Sequence, residues 1–535
     1  MKKGLIFIWM IFAVFFTAAQ GHEKVSEQEL YKAVKNGDYQ TVEKFVEQGN
    51  PINGIYGRKD MTLINYSIRY GQADILERLL KDGADPDKPS GGKTPLMYAV
   101  QHREPEMAGL LLRMGANPDG RARKGYTPLM FAAKTNKLEF VKLFIEHGAQ
   151  AQLENDNEFT ALDLANLANY PEVATYLVKV IEMRNYYKGS PGYEDGPHVE
   201  WLSNKKVRMF YMRYDTVKDF PVLTEDFFAV NDDTATITSF ATGREYTLVR
   251  NIKADPSNYE DVSKILAIGD IHGHYQSLVN YLRVNNVIDD SLNWIWGNGH
   301  VVMLGDVFDR GNEVTESLWF IYQLDLKARR QGGRVHMLLG NHEVMVMVND
   351  TRYINRKYEL FSNYFMKDYS QFFDRNSALG QWLRTRNTII RINDNLFSHA
   401  GISPALYNRR LSIPKINFLL QEYLAHDPLA PNRYPELTDL ILNAYGPLWY
   451  RGYLFDDQEG YKIRKHEVEK ILSFYDASKI IIAHSEVKTV STMFDGYVIA
   501  IDVPIRMRKS VPEGLYIDQS GFYRLQHDGS MVSLF

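Results

Sequence analysis

Apolar positions along the 535 residues follow two rhythms, and the rhythm changes before the middle of the chain. From about Val25 to Arg184 they recur at helical spacing, as in Leu138, Val141, Phe144 and Ile145, which predicts amphipathic helices with one apolar stripe each. Thr62-Leu63 returns as Thr94-Pro95-Leu96, Thr127-Pro128-Leu129 and Thr160-Ala161-Leu162, at steps of 32, 33 and 33 residues. A second ladder keeps the same phase: Gly49-Asn50, Gly83-Ala84-Asp85, Gly115-Ala116-Asn117 and Gly148-Ala149-Gln150. Each glycine is placed to close a second helix with a left-handed cap. Two markers in register predict an all-α solenoid of helix pairs, none of which can bury its apolar face without a neighbour.

The helical pattern stops at Gly189-Ser190-Pro191-Gly192. Alternating runs such as Val207 to Tyr214 and Ala235 to Phe240 then predict a small β-rich connector over residues 185–260, packed on the C-terminal half of the chain. From residue 261 onward, short apolar runs each end in a polar cluster. Ile265 to Ile268 precede Gly269-Asp270-Ile271-His272-Gly273, and Val301 to Leu304 precede Gly305-Asp306-Val307-Phe308-Asp309-Arg310-Gly311. Val335 to Leu339 lead into Gly340-Asn341-His342-Glu343, Thr388 to Phe397 into Ser398-His399-Ala400-Gly401, and Ile480 to Ala483 into His484-Ser485-Glu486. In helix-flanked sheets ligands gather at the carboxyl ends of strands, so clusters spread over roughly 215 residues can converge on one spot. Their Asp, Asn and His side chains suit Mn, Fe or Zn, and the glycines allow close approach to a small anion.

Composition narrows the picture. Lys and Arg number 62 against 66 Asp and Glu, so no global positive field exists to gather nucleic acid. The absence of cysteine removes disulfides, thiolate ligands and a lipidated N-terminal cysteine, leaving His, Asp, Glu and Asn to hold any metal. Lys2 and Lys3, the apolar run Leu5 to Phe16 and the small residues Thr17 to Ala19 predict a cleavable signal peptide over residues 1–19. Its apolar run is too short for a helix that spans a bilayer, so the expected mature chain is periplasmic or secreted, without a stable membrane anchor.

The segments Thr94 to Ala99 and Thr127 to Ala132 resemble the ankyrin signature, with Met97 and Met130 where that family usually carries His. About five units fit within residues 25–184. The resemblance implies a surface that binds a protein partner, and the tip formed by Arg121, Arg123 and Lys124 suits an acidic one.

The five polar clusters, taken in order, resemble the phosphoprotein phosphatase branch of the calcineurin-like metallophosphoesterases over residues 261–535. Gly340 to Tyr353 and Gly446-Pro447-Leu448-Trp449-Tyr450-Arg451-Gly452 resemble its bacterial-type, or Shewanella-like, members. The resemblance implies a β-sandwich flanked by helices and two divalent metal ions. It makes Asp270 and His272 ligands of the first ion, Asp306 the bridge, and Asn341, His399 and His484 ligands of the second. It also implies attack by a hydroxide shared between the ions, proton donation by His342 oriented by Asp309, and phosphate binding by Arg310 and Arg451. Glu343 is expected to brace a loop. Glu486 stands where many metallophosphoesterases carry a further His, and Ala400 where a second Gly is usual. Two inserts, about residues 353–386 and 411–444, are expected to cover the site. A phosphorylated protein is the expected substrate. The alternatives are a dinucleoside polyphosphate hydrolase and an ankyrin binding protein with an inactive phosphatase domain.

Overall fold

The computed structural model describes residues 24–535 apart from 58–59, 188–193, 216–219, 240–242, 426–433, 456–460 and 506–511. The predicted signal peptide and the Gly189 to Gly192 break lie outside the described residues. No helix among those described is long and apolar enough to cross a membrane. The chain divides into two compact units, one ending at Tyr186 and the other beginning at Tyr187.

The first unit is the expected solenoid. Its helix pairs are Glu27–Asn36 with Tyr39–Glu47, Leu63–Arg69 with Ala73–Lys81, Pro95–His102 with Pro105–Arg113, Pro128–Lys134 with Leu138–Glu146, and Ala161–Leu167 with Pro171–Tyr187. The recurring threonines explain where the first helices start. Thr62, Thr94, Thr127 and Thr160 are N-caps whose hydroxyls accept the N–H of Asn65, Met97, Met130 and Asp163. Consecutive units are also tied by carboxylates: Asp87 accepts the N–H of Asn117 at 2.9 Å, and Asp119 that of Gln150 at 2.8 Å.

The connector opens the second unit with β1 (Glu194–Ser203), β2 (Lys206–Asp215) and β3 (Phe220–Ala229) in one antiparallel sheet, and β4 (Thr234–Thr238) with β5 (Glu245–Val249) in another. Then come β6 (Asn258–Tyr259), β7 (Lys264–Ile268), β8 (His300–Met303), β9 (Arg334–Met337), β10 (Ile389–Ile392), β11 (Asn395–Ser398) and β12 (Lys479–Ile482). The last strands are β13 (Ser491–Met493), β14 (Val498–Ala500), β15 (Glu513–Asp518), β16 (Gly521–Gln526) and β17 (Met531–Ser533).

These form two six-stranded sheets, in the orders β17-β16-β15-β7-β8-β9 and β13-β14-β12-β11-β10-β6. Strands alternate their faces, and β12 shows the consequence. Ile481 points into the core shared with Ile265, Ala267 and Val302 of the opposite sheet, whereas Ile480 and Ile482 pack with Leu406, Ile416 and Ile471 of the outer helices. The result is the expected sandwich flanked by helices. Strands β7, β8 and β9 run parallel, as do β11, β12 and β14, which places the polar clusters at common ends. One sequence expectation needs refinement. The run Thr388 to Phe397 is two antiparallel strands, because Asn393, at φ 53°, and Asp394 form a polar turn inside it.

Candidate active site

The backbone at the strand ends is unusual. His272 (φ 46°), Asp306 (51°), Asp309 (70°), Arg310 (60°) and His484 (65°) all adopt the left-handed region, which side-chain-bearing residues rarely occupy. Strain of this kind persists where the surroundings enforce it, and it clusters at functional sites. Glycine explains how β8 and β9 approach so closely here. A Cβ on Gly305 would lie 2.5 Å from Gly340 N, and one on Gly340 would collide with Asp306 Oδ1. Glu343 is the brace expected from the sequence. Its buried carboxylate accepts the N–H groups of Asp306 (2.8 Å), Val307 (2.7 Å), Phe308 (3.1 Å) and Gly340 (2.8 Å).

These constraints bring all ten predicted site residues together. His399 Nε2 lies 2.9 Å from Asn341 Oδ1, 3.1 Å from His484 Nδ1 and 3.3 Å from Asp306 Oδ2. His272 Nε2 sits 3.9 Å from Asp270 Oδ2 and 4.0 Å from Asp306 Oδ2. His342 Nδ1 meets Asp309 Oδ2 at 2.5 Å, and its Nε2 faces Asp306 Oδ2 at 3.8 Å. Above them opens a cleft of about 240 Å³ lined by Asp270, His272, Arg310, Arg451, His484 and Asp502 among others. Arg451 Nε donates to His484 Nε2 at 3.1 Å, and Arg310 Nη1 donates to Glu486 Oε1 at 3.4 Å.

Burial and charge act against one another across the cluster. Burial pushes the Asp270 carboxyl well above its ordinary value, and the charges of Asp502 and Asp306 push it further. Burial works the same way on Asp306, but His399 and His342 overcome it and hold this carboxyl well below the usual range. The His272 imidazole is driven down to about 3, chiefly by burial. His342 moves the other way: burial opposes its protonation, yet Asp306 and the hydrogen bond to Asp309 keep it above the ordinary histidine value.

The donor set fits divalent cations. His272 donates Nδ1–H to the Phe308 carbonyl at 2.8 Å, which leaves Nε2 as a lone pair; that atom is buried without a hydrogen-bond partner among the described residues. His399 likewise uses Nδ1 on the Leu304 carbonyl at 2.8 Å, turning Nε2 toward Asp306 Oδ2 and Asn341 Oδ1. Histidine fixed through one nitrogen by a backbone carbonyl is the usual arrangement for a metal ligand at the other. Among the described residues, two groups of side chains offer metal-binding atoms within 4.8 Å of one another: His272, Asp306 and His342, and Asp306, His399 and His484. Asp306 belongs to both.

Residues 263–487 match the calcineurin-like phosphoesterase family, and residues 30–122 and 114–186 match ankyrin repeats. The solved cold-active protein-tyrosine phosphatase of a psychrophilic Shewanella species is 31% identical, with a TM-score of 0.56; the match covers 64% of this chain and 100% of that one. The chain belongs to the calcineurin-like phosphoesterase family. Among curated relatives, Shewanella-like protein phosphatase 1 of Plasmodium berghei is 30% identical over 231 residues, 42% of this chain and 61% of the relative. Shewanella-like protein phosphatase 2 of Arabidopsis thaliana is 37% identical over 101 residues, 19% of this chain and 26% of the relative. The chain thus spans less than two thirds of either curated relative.

The phosphoesterase half contains one acidic residue that sequence reading missed. Asp502 is buried and lines the same cleft as Asp270; burial pushes its carboxyl up to about 6. It follows β14 as Asp270 follows β7, so a sixth apolar run ending in an acid was the available signal. Ala400, at the departure from the family pattern, is buried and donates its N–H to the Pro447 carbonyl at 2.8 Å.

Proposed function

We propose that the protein is a metal-dependent protein phosphatase that hydrolyses phosphoesters in the cleft between Arg310 and Arg451, with its ankyrin repeats binding a protein partner or substrate. The observation that carries this reading is the meeting of Asp306 Oδ2, Asn341 Oδ1 and His399 Nε2, lone pairs from three separate strand ends, beneath a cleft lined by two arginines. Asp270, His272 and the shared Asp306 would hold one divalent ion, and Asp306, Asn341, His399 and His484 a second, with Mn, Fe or Zn as candidates. Such a pair, when bound, supplies Lewis acidity toward phosphoryl oxygens and lowers the pKa of water.

The remaining chemistry belongs to the protein. A planar guanidinium grips two phosphoryl oxygens together, and Arg310 and Arg451 both line the cleft where such oxygens would sit. As the ester bond breaks, the leaving oxygen needs a proton. His342 suits that role because Asp309 takes its Nδ1–H, which aims a protonated Nε2 at the reacting cluster and stabilises the charged form. The basic and apolar run at the N-terminus supports a periplasmic or secreted location. The Arg121, Arg123 and Lys124 tip supports an acidic partner for the repeats.

The manganese-loaded chain is expected to turn over phosphopeptides with a kcat/KM at least about tenfold above that for diadenosine tetraphosphate, the difference set by how well the groove fits a polypeptide. A steady-state comparison on a panel of phosphotyrosine, phosphoserine and nucleotide substrates measures this. The opposite ranking contradicts the protein-directed reading.

A further inference from the structure

The connector reaches the Arg310 loop through a buried lysine. The loop that carries Arg310 is held along its length by the segment from Tyr353 to Tyr358. Arg310 N–H donates to the Tyr353 carbonyl at 3.0 Å, and Asn355 Nδ2 donates to the Arg310 carbonyl at 2.9 Å. Farther along, Lys357 Nζ donates to the Asn312 carbonyl at 2.6 Å, and Val314 N–H donates to Tyr358 Oη at 2.7 Å. Four hydrogen bonds over five residues fix the backbone just where Asp309 and Arg310 adopt left-handed conformations.

Lys357 is the unusual member. Only 1% of its surface is exposed, although lysine almost never sits fully buried without a partner. Its Nζ lies 3.0 Å from Asp195 Oδ1 and 3.5 Å from Glu316 Oε1. Asp195 is on β1 of the connector, and its other oxygen lies 3.0 Å from His198 Nε2. The His198 ring is in turn packed against Phe361 and Phe372, with centroids 4.7 and 5.1 Å away. A buried ion pair adds little stability over a well-packed apolar pair, since desolvation offsets its attraction. It does fix position, because Lys357 Nζ donates to the Asn312 carbonyl while the Asp195 carboxylate is packed against it at 3.0 Å.

We infer that Asp195 and Lys357 are positioning residues for phosphate binding: the connector strand anchors the lysine that holds the Arg310 loop, so the connector is part of the active-site apparatus rather than a spacer. This rests on the reading of Arg310 as a phosphate-binding residue.

The test uses the full chain as wild type, Asp195→Asn, Arg310→Ala and the double variant. Its readouts are inhibition by inorganic phosphate, kcat/KM on p-nitrophenyl phosphate, and hydrogen exchange of residues 310–314. Asp195→Asn should weaken phosphate inhibition and lower kcat/KM by roughly tenfold, and should speed exchange at the Arg310 and Val314 amides. In the Arg310→Ala background the same change should cost less than about twofold, because both act through one contact. If Asp195→Asn does not fold, Lys357→Met replaces it. Methionine keeps most of the buried bulk but cannot donate to the Asn312 carbonyl, and the same non-additivity is expected. Equal losses in both backgrounds, or unchanged exchange at residues 310–314, overturn the inference and leave the phosphatase reading intact. An inactive wild type whose loop still loosens in Asp195→Asn contradicts the phosphatase reading instead.

Discussion

Asp306→Asn is expected to lower turnover by about a thousandfold, equivalent to roughly 4 kcal/mol, and to weaken retention of divalent metal. The substitution keeps the shape of the side chain, removes its charge and turns one acceptor oxygen into an NH2 donor. That charge faces three imidazoles at once: His399 at 3.3 Å, His342 at 3.8 Å and His272 at 4.0 Å. Asp306 is also the residue common to both metal-binding groups. Losing it weakens both sites together, whereas losing Asn341 or His272 touches one. The backbone should survive, since Glu343 binds the Asp306 N–H and an asparagine Oδ1 can still accept the His342 N–H that the carboxylate now accepts at 3.0 Å. Turnover and metal content of the purified variant check this, with far-UV circular dichroism confirming that the repeats remain helical. Near-normal turnover would refute the shared role of Asp306.

For His342→Ala the expected effect depends on the substrate. Alkyl phosphates release a poor leaving group and should lose roughly a hundred- to a thousandfold in kcat, the range typical of a removed general acid. p-Nitrophenyl phosphate releases a stable phenolate and should lose less than about tenfold. The geometry supports this division because His342 touches Asp309 through Nδ1 and turns Nε2 toward the cluster, where it can give up a proton. Measuring kcat on a series of phosphate esters of graded leaving-group pKa checks it. Equal losses across the series would assign His342 to binding or metal retention.

Much of this architecture was legible in the sequence because the physics behind it is local. A threonine N-cap starts the first helix of four successive units and a left-handed glycine follows the second at Gly83, Gly115 and Gly148, so the repeat announced itself at Thr62, Thr94, Thr127 and Thr160. The five polar clusters were equally visible, since each strand end must combine an apolar run, a sharp turn and a polar side chain. What stayed hidden depends on residues far apart in the chain. Lys357 reads as an ordinary surface position on an amphipathic helix, and only the fold shows Asp195, on a strand of the connector, meeting its ammonium. Asp502 lacked a neighbouring His or Asn to mark it, and its place in the same cleft as Asp270 arises because β14 and β7 end beside one another. The strained backbone at Asp306, Asp309 and Arg310 was invisible too, because those residues are not glycine and nothing local demands φ values of 51°, 70° and 60°. The carbonyl and amide grip supplied by Tyr353 to Tyr358 is what enforces it at Arg310.

The central claim is that this cluster works as a cage for metal that drives phosphoester hydrolysis. Its most direct test is a titration of manganese into chelator-treated protein, with bound ions counted by elemental analysis while phosphopeptide turnover is followed. Turnover should be absent at the start and rise to a plateau as two ions bind per chain. Undiminished turnover in the metal-free protein, or no stoichiometric uptake of ions, would contradict the account.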